Sequence, residues 1–128
     1  MIKNRVIPVL LLQNKGLVKT IKFSDPKYVG DPINAIKIFN EKEVDELIVL
    51  DISASRNNQK PDYEVIEKFS DECFMPVCYG GGIRNIEEAK IIFSLGIEKI
   101  SLQTCILNDI DLLKSFVDCF GRQSIVVS

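Results

Sequence analysis

Three consecutive glycines at positions 80–82 form the most specific chemical signal in the sequence. They follow an apolar run, 75–79, and stand just before a helix-like segment that begins near Asn85. Because glycines have no Cβ atom, their backbone N–H groups can approach an anion closely, and a helix start adds a favourable dipole. The pattern indicates a phosphate cradle, with a tight turn that needs positive φ angles as the alternative. The spacing matches neither a Walker loop nor the GxGxxG of a dinucleotide fold.

Asp51 and Lys19 are the ionisable residues best placed to take part in a reaction. Asp51 ends the apolar run 46–51, where it could act as a general base, orient a hydroxyl or serve as a structural hydrogen-bond acceptor. Lys19 belongs to a polar segment, 13–19, that follows the first apolar run and is expected to form a loop. There it is either a solvated surface lysine or a group that acts on substrate, and the residue types leave both alternatives open.

The composition excludes several kinds of chemistry. The 128 residues include no histidine, which excludes imidazole bases, Ser–His or Cys–His nucleophile pairs and His-ligated zinc. Sixteen Lys and Arg against eighteen Asp and Glu give a net charge of −2, so no nucleic acid or membrane partner is predicted. The cysteines at 73, 78, 105 and 119 contain no pair with the two-residue gap of a redox or zinc motif. We expect neither a metal nor a cofactor.

The amino-terminal residues favour a cytoplasmic protein. Residues 1–12 contain a basic residue and a short apolar run but no small-residue cleavage site, so a signal peptide is not expected. No stretch approaches the run of about 20 apolar residues that a membrane helix needs. The cysteines are therefore expected to be reduced, small core residues.

Short apolar runs alternate with longer amphipathic segments along the chain. The runs 6–12, 46–51, 75–79, 99–102 and 124–127 are typical of parallel strands covered on both faces. Capping signals mark four helices between them, with starts at Asp31–Pro32, Pro61–Asp62, Asn85 and Asn108 and stops at Gly96 and Gly121. The order β-α-β-α-β-α-β-α-β predicts a parallel α/β sheet, either an open doubly wound sheet or half of a (β/α)₈ barrel. In both, ligands bind at the carboxyl ends of the strands.

Three segments of the sequence resemble the cyclase subunit of imidazole glycerol phosphate synthase. They are DELIVLDISAS at 45–55, GGGIR at 80–84 and RVIP at 5–8, and the resemblance extends from Arg5 to Ser128 without an evident gap. It implies a (β/α)₈ TIM barrel, of which this chain would form the half barrel (βα)₄β. It also implies that a glutaminase docks at the amino-terminal face of the barrel. Ammonia would then pass through the barrel to a ribulose-phosphate-type substrate at the other face.

The resemblance also implies roles for individual residues. An ammonia gate of charged side chains near the strand starts matches Arg5, Glu46 and Lys99. A phosphate-binding site matches Gly81, Gly82, Gln103 and Thr104, with Gln103 in place of the family's shorter asparagine. Lys19 matches a loop lysine that helps to hold the closed loop over substrate. Lys19 and Asp51 are accordingly the catalytic candidates in this half.

Two departures concern the catalytic acids of the family. The family has an aspartate at the end of strand 1, in the context Ile-Pro-Cys-Leu-Asp-Val, whereas this chain has Leu11 at that position. A leucine cannot transfer a proton, and loss of a general acid or base costs about 10²–10⁴-fold in rate. The second aspartate lies at the end of strand 5, and the sequence stops at Ser128, just short of it.

Three functions are compatible with this pattern. The first is that of a paralogue which, with a glutaminase and a third protein, delivers ammonia for amidation of a nucleotide sugar in surface-polysaccharide biosynthesis. The second is the cyclase of histidine biosynthesis, acting on a phosphorylated sugar derivative. The third is a non-catalytic half-barrel binding module. The loss of the acid at Leu11 favours the first.

The length of the chain indicates part of a larger barrel. A complete (β/α)₈ barrel needs about 250 residues, so residues 1–128 are expected to be a single half-barrel unit of a longer product. Strands 1 and 5 would then be open hydrophobic edges, through which half barrels could self-associate. On its own, the chain is expected to be inactive.

Overall fold

The fold is an α/β half barrel. A computed structural model describes residues 7–13, 16–21, 25–30, 32–52, 60–102 and 109–127. The strands are β1 Val9–Gln13, β2 Gly16–Ile21, β3 Asp25–Gly30, β4 Leu47–Asp51, β5 Val77–Gly80, β6 Lys99–Leu102 and β7 Ile125–Val127. The helices are α1 Pro32–Glu41, α2 Tyr63–Glu72, α3 Ile86–Ser94 and α4 Ile110–Phe120.

The order of the parallel strands decides between the two predicted architectures. The sheet order is β3-β2-β1-β4-β5-β6-β7, and β1, β4, β5, β6 and β7 are parallel. Each parallel strand pairs with the next one along the chain, and right-handed crossovers then place all four helices on one face of the sheet. This arrangement is the (βα)₄β half of a TIM barrel, which confirms that prediction and excludes a doubly wound sheet.

The two faces of the parallel sheet differ in their surroundings. In β4, Leu47 and Val49 are completely buried on the helix side, whereas the alternate residues Ile48 and Leu50 face the concave side. The helix side holds the hydrophobic core, to which α2 contributes Phe69 and the other helices contribute similar apolar side chains. Since apolar burial is the main favourable term in folding, this face stabilises the unit.

The helix boundaries follow the capping signals closely. The Asp62 side chain caps α2 by accepting from Val65 N, and the Asn85 side chain caps α3 by accepting from Glu88 N at 2.8 Å. The predicted start of α4, Asn108, lies outside the described residues. The cap of α4 is Asp109, whose Oδ1 atom accepts a hydrogen bond from Leu112 N. No helix in the described ranges is both long and apolar enough to cross a membrane.

A β-hairpin replaces the loop that was predicted after the first strand. β2 pairs antiparallel with β1, with Gly16 opposite Gln13, and β3 pairs antiparallel with β2. The prediction weighted the polar residues of segment 13–19 and overlooked the strand-forming residues Leu17 and Val18 within it. The prediction that β1 is an open edge is therefore wrong for Leu11, Leu12 and Gln13, which pair with β2. The pairing with β2 does not extend to Val9 and Leu10. Within the described sheet the outermost strands are β3 and β7.

Candidate functional site

The carboxyl ends of the parallel strands bring Asp51 and the glycine run together. Asp51 is the last residue of β4, and it is 8% exposed. Gly80 ends the neighbouring strand β5, with Leu50 as its partner across the pair. By strand alternation, Asp51 shares the helix-facing side of β4 with Val49, and Leu50 lies on the concave side.

Gly81 passes directly over the backbone of Asp51. A Cβ atom at Gly81 would lie 2.6 Å from the carbonyl oxygen of Asp51 and 2.9 Å from its Cβ atom. Gly81 has a φ angle of 133° and Gly82 one of 74°, both in the region that favours glycine. The turn therefore needs glycine at Gly81 for two independent reasons, backbone angle and space. This geometry agrees with the tight-turn alternative. Gly81 and Gly82 are themselves buried, and the phosphate cradle stays a prediction.

The glycine run leads into the start of α3. Asn85 caps the helix, and Glu88 Oε1 accepts a hydrogen bond from Arg84 N at 2.9 Å. Together these bonds fix the path of the chain between Gly82 and the helix. The other predicted phosphate ligands, Gln103 and Thr104, follow β6 directly but lie outside the described residues.

A buried tyrosine, which the sequence analysis missed, supports the glycine run from the core side. The Tyr79 hydroxyl donates a hydrogen bond to Gly81 O at 3.0 Å, and Tyr79 is 1% exposed. Burial, and to a smaller extent the charges of Asp51 and Asp62, raises the pKa of the Tyr79 hydroxyl far above its usual range. The available signal was an aromatic residue with a polar tip directly before the glycines in a buried strand.

The opposite ends of the strands bring two of the three predicted gate residues together. Glu46 immediately precedes β4 and is buried, and Lys99 begins β6. Lys99 Nζ lies 3.3 Å from Glu46 Oε1, and the Lys99 side chain is 34% exposed. The ion pair therefore spans β5 at the amino-terminal end of the barrel. Arg5, the third predicted gate residue, lies outside the described residues.

A concave pocket extends from this ion pair along the inner face of the strands. Its volume is about 300 Å³, and it is lined by the ion pair and by Val9, Ile48, Leu50, Cys78, Ser101 and Val126. Cys78 lies beside the pair; burial raises the pKa of its thiol to about 11, with Glu46 raising it further and Lys99 lowering it. From Glu46 to Asp51 the strand advances roughly 16 Å at about 3.3 Å per residue. The pocket is thus an apolar cavity on the concave face with an ion pair at one end.

Leu11 lies in β1, which borders this pocket, and Lys19 lies in β2, the next strand of the sheet. Leu11 is half-buried and pairs with Leu50 of β4 and with Val18 of β2. Leu11 is two residues after Val9 in the strand, so both face the concave side. An apolar residue thus lies where the resemblance places an acid. Lys19 lies in β2 opposite Lys27, in a strand and not in the predicted loop, and its side chain is outside what the structure describes.

Among the described residues, no group of three or more His, Cys, Asp or Glu side chains could hold a metal ion. The charged and polar groups brought together are Glu46 with Lys99 at one end of the strands and Asp51 with the glycine run at the other. The apolar pocket on the concave face lies beside the pair Glu46–Lys99, and its lining includes Leu50, which precedes Asp51 in β4.

A parallel half barrel with these features is a member of the (β/α)₈-barrel class. A family model described as "Histidine biosynthesis protein" matches residues 5–128, and the chain belongs to this family.

Curated relatives match the entire chain. It is 63% identical to a Pseudomonas aeruginosa protein provisionally named imidazole glycerol phosphate synthase subunit hisF2, and the match covers 100% of this chain and 51% of that protein. A Vibrio vulnificus protein provisionally named subunit hisF3 is 55% identical over 99% of this chain and 49% of its own length. The imidazole glycerol phosphate synthase subunit HisF of Dehalococcoides mccartyi is 38% identical, and the match covers 100% of this chain and 51% of that protein. The chain thus spans about half the length of the curated relatives it matches, and it corresponds to their amino-terminal half.

Proposed function

We propose that the chain is the amino-terminal half of an ammonia-using synthase subunit that works in the cytoplasm with a glutaminase. The ammonia is used to amidate a nucleotide sugar in surface-polysaccharide biosynthesis. The observation that carries this proposal is Leu11, an apolar residue paired with Leu50 where the resemblance calls for the ring-closing acid. A barrel that keeps an ammonia path and has lost this acid is suited to deliver ammonia without closing an imidazole ring.

The ion pair Glu46–Lys99 supports the ammonia path. It stands at the amino-terminal end of the barrel, where the glutaminase would dock, and the apolar pocket begins beside it. A neutral ammonia molecule can cross an apolar passage, whereas ammonium would pay a large desolvation cost there. In the proposal, the pair admits ammonia and the apolar walls favour its neutral form.

The glycine run supports binding of a phosphorylated group at the other end of the passage. Gly81 and Gly82 have no Cβ atom that would keep a phosphate away from their backbone N–H groups, and the start of α3 follows. In the proposal these amides, with Gln103 and Thr104, hold a phosphate of the substrate. Asp51 and Lys19 are the candidates for proton transfer and substrate contact in this half.

The second candidate is the cyclase of histidine biosynthesis. Membership of the histidine biosynthesis protein family favours it. Leu11 weighs against it, because a leucine cannot supply the proton transfer that ring closure needs.

An isotope-transfer assay with the full-length parent separates the candidates. The parent is mixed with a glutaminase, with the third protein that the proposal calls for, with amide-¹⁵N glutamine and with a nucleotide sugar. We expect ¹⁵N in the sugar and stimulated glutamine hydrolysis. Incorporation of ¹⁵N into an imidazole ring from the histidine-pathway intermediate would instead establish the cyclase. A stable complex with neither transfer nor stimulation would identify a binding module and contradict both enzymatic functions.

The same assay tests the gate through Lys99→Met. We expect glutamine-dependent activity to fall while activity with added ammonium salt is retained, because the variant alters the entrance and leaves the far end unchanged. Lys90→Met is the matched control, since Lys90 forms an exposed pair with Glu87 on α3, away from the passage. Equal behaviour of the two variants would contradict a gating role for Lys99.

A further inference from the structure

The hydroxyl of Tyr79 determines which way one peptide group of the glycine run points. Tyr79 is on the helix-facing side of β5, and its ring is buried in the core. Its hydroxyl reaches past the end of the strand and donates to Gly81 O at 3.0 Å. The carbonyl of Gly81 is therefore directed at a buried donor and not at the outer side of the loop.

The orientation of this carbonyl fixes the N–H group of Gly82. The C=O group of Gly81 and the N–H group of Gly82 belong to one planar, trans peptide unit, in which the two bonds point in opposite directions. Since the oxygen points toward the Tyr79 hydroxyl, the Gly82 N–H points away from it. A peptide unit between two glycines can otherwise rotate among many conformations, so a buried hydrogen bond at one end is a strong constraint on the other.

The surroundings of Gly81 add to this constraint. Asp51 closes the space on one side, with its carbonyl oxygen 2.6 Å from where a Cβ atom of Gly81 would lie. On the other side, Tyr79 holds the carbonyl. The peptide unit that carries the Gly82 N–H is thus held by the end of β4 and by the hydroxyl on β5.

We propose that Tyr79 is a positioning residue that aims the Gly82 N–H at the phosphate group of a sugar-phosphate or nucleotide-sugar substrate. This inference rests on the proposed phosphate site and assigns a role to a residue that does not touch the ligand. The Tyr79 hydroxyl keeps its proton throughout the physiological range, because burial, followed by the charges of Asp51 and Asp62, raises its pKa. It therefore remains a hydrogen-bond donor whenever substrate binds.

Phosphate titration of Tyr79→Phe in the full-length parent tests this role. The probe is inorganic phosphate, and the measurement is the amide resonances of Gly81 and Gly82 in a ¹⁵N NMR titration. The variant keeps the ring and removes the hydroxyl. We expect phosphate affinity to fall by about three- to tenfold, the range for loss of one hydrogen bond, and the phosphate-induced shift at Gly82 to shrink. A purely structural role would lower the melting temperature and leave the affinity unchanged.

Tyr63→Phe is the matched control. Tyr63 is a half-buried tyrosine at the start of α2 that packs against the same hydrophobic core as Tyr79, so the variant removes a hydroxyl from the same region. We expect it to bind phosphate as the wild type does. Wild-type affinity in Tyr79→Phe, or an equal loss in Tyr63→Phe, would overturn the proposal while leaving the phosphate site intact.

The wild-type protein provides the test if Tyr79→Phe does not fold. Phosphate must then shift the Gly82 amide more than the Gly81 amide, because only the Gly82 N–H is opposite the anchored carbonyl. A larger shift at Gly81 would overturn the role of Tyr79 and keep the phosphate site. If phosphate shifts neither amide, the phosphate site itself is wrong, and the inference about Tyr79 is wrong with it.

Discussion

At the scale of single residues, the contacts of Gly81 with Asp51 and Tyr79 explain why position 81 needs a glycine. The backbone of Gly81 lies against Asp51 and its carbonyl accepts from Tyr79, so both space and direction are determined. A glycine here allows close packing of two strand ends, and in the proposal it also lets a phosphate approach the backbone amides. Structural and binding roles are therefore combined in the same few atoms.

Substitution of Gly81 should be more costly than substitution of another glycine with positive φ. Gly81→Ala combines an unfavourable φ of 133° with a Cβ atom 2.6 Å from Asp51 O, and we expect it to lower the free energy of unfolding by more than about 2 kcal/mol. Gly121→Ala is the control, because its φ is 87° but its nearest neighbour is the flexible Gln123 side chain at 3.3 Å. Urea unfolding of both variants measures the difference. An equal loss of unfolding free energy in both variants would show that the backbone of Asp51 moves to accommodate the added methyl group.

Buried thiols should make stability depend on alkaline pH. Burial raises the pKa of both Cys73 and Cys78 from 9.0 to about 11. A raised folded-state pKa means that the native state holds protons which the unfolded state releases, so this stabilisation is complete below about pH 9 and is lost as pH rises through about 11. We expect Cys78→Ala to lose less stability than the wild type between pH 8 and pH 11.

Cys119→Ala provides the control for this pH dependence, because Cys119 is exposed. Its unfolding free energy should follow the wild-type pH profile. Identical profiles for Cys78→Ala and the wild type would contradict a contribution from the Cys78 thiol.

At the scale of elements, helix ends could be predicted from the sequence, whereas the pairing of distant strands could not. The start of α3 and the stops at Gly96 and Gly121 could be predicted because a cap is made by residues three or four positions apart. The hairpin of β2 and β3 was missed because its strands become stable only when paired with β1, which a segment read alone does not show. The hydrogen bond from Tyr79 was missed for a related reason: it depends on the backbone path of a turn. Of the candidate site, the location of the glycine run and of the pair Glu46–Lys99 could be predicted, but its geometry could not.

Two helix caps should have similar effects on stability and different effects on phosphate binding. Asn85→Ala removes the cap of α3, and Asp109→Ala removes the equivalent cap of α4; each should cost about 0.5–2 kcal/mol of unfolding free energy. Asn85 follows the glycine run at a distance of three residues, so Asn85→Ala should also weaken phosphate binding. Urea unfolding and phosphate titration measure the two effects. Loss of phosphate binding in Asp109→Ala as well would indicate a global effect and contradict the local one.

At the scale of the whole molecule, the parallel strands leave an apolar concave face. Val9 is 51% exposed and Val126 is 38% exposed on this face. In a complete barrel the remaining strands would cover such residues, and the length of the relatives agrees with a barrel of twice this size. The described half contains the pair Glu46–Lys99, an apolar pocket on the concave face and the glycine run.

The 128-residue chain on its own should self-associate. Its exposed concave face and the edge of β7 offer surfaces that a second half barrel can cover. We expect sedimentation velocity to show dimers or larger species at micromolar concentration. A stable monomer with a sharp unfolding transition would contradict this expectation.

In the proposed function the parent delivers ammonia and does not close an imidazole ring. The most direct measurement is the rate of ring closure by the full-length parent with the histidine-pathway intermediate and ammonium salt, in the wild type and in Leu11→Asp. Loss of a general acid or base lowers a reaction rate by about 10²–10⁴-fold. We therefore expect negligible ring closure by the wild type and a rate of ring closure that rises by up to this factor in Leu11→Asp. Wild-type ring closure at an ordinary enzymatic rate would contradict the claim and establish the cyclase.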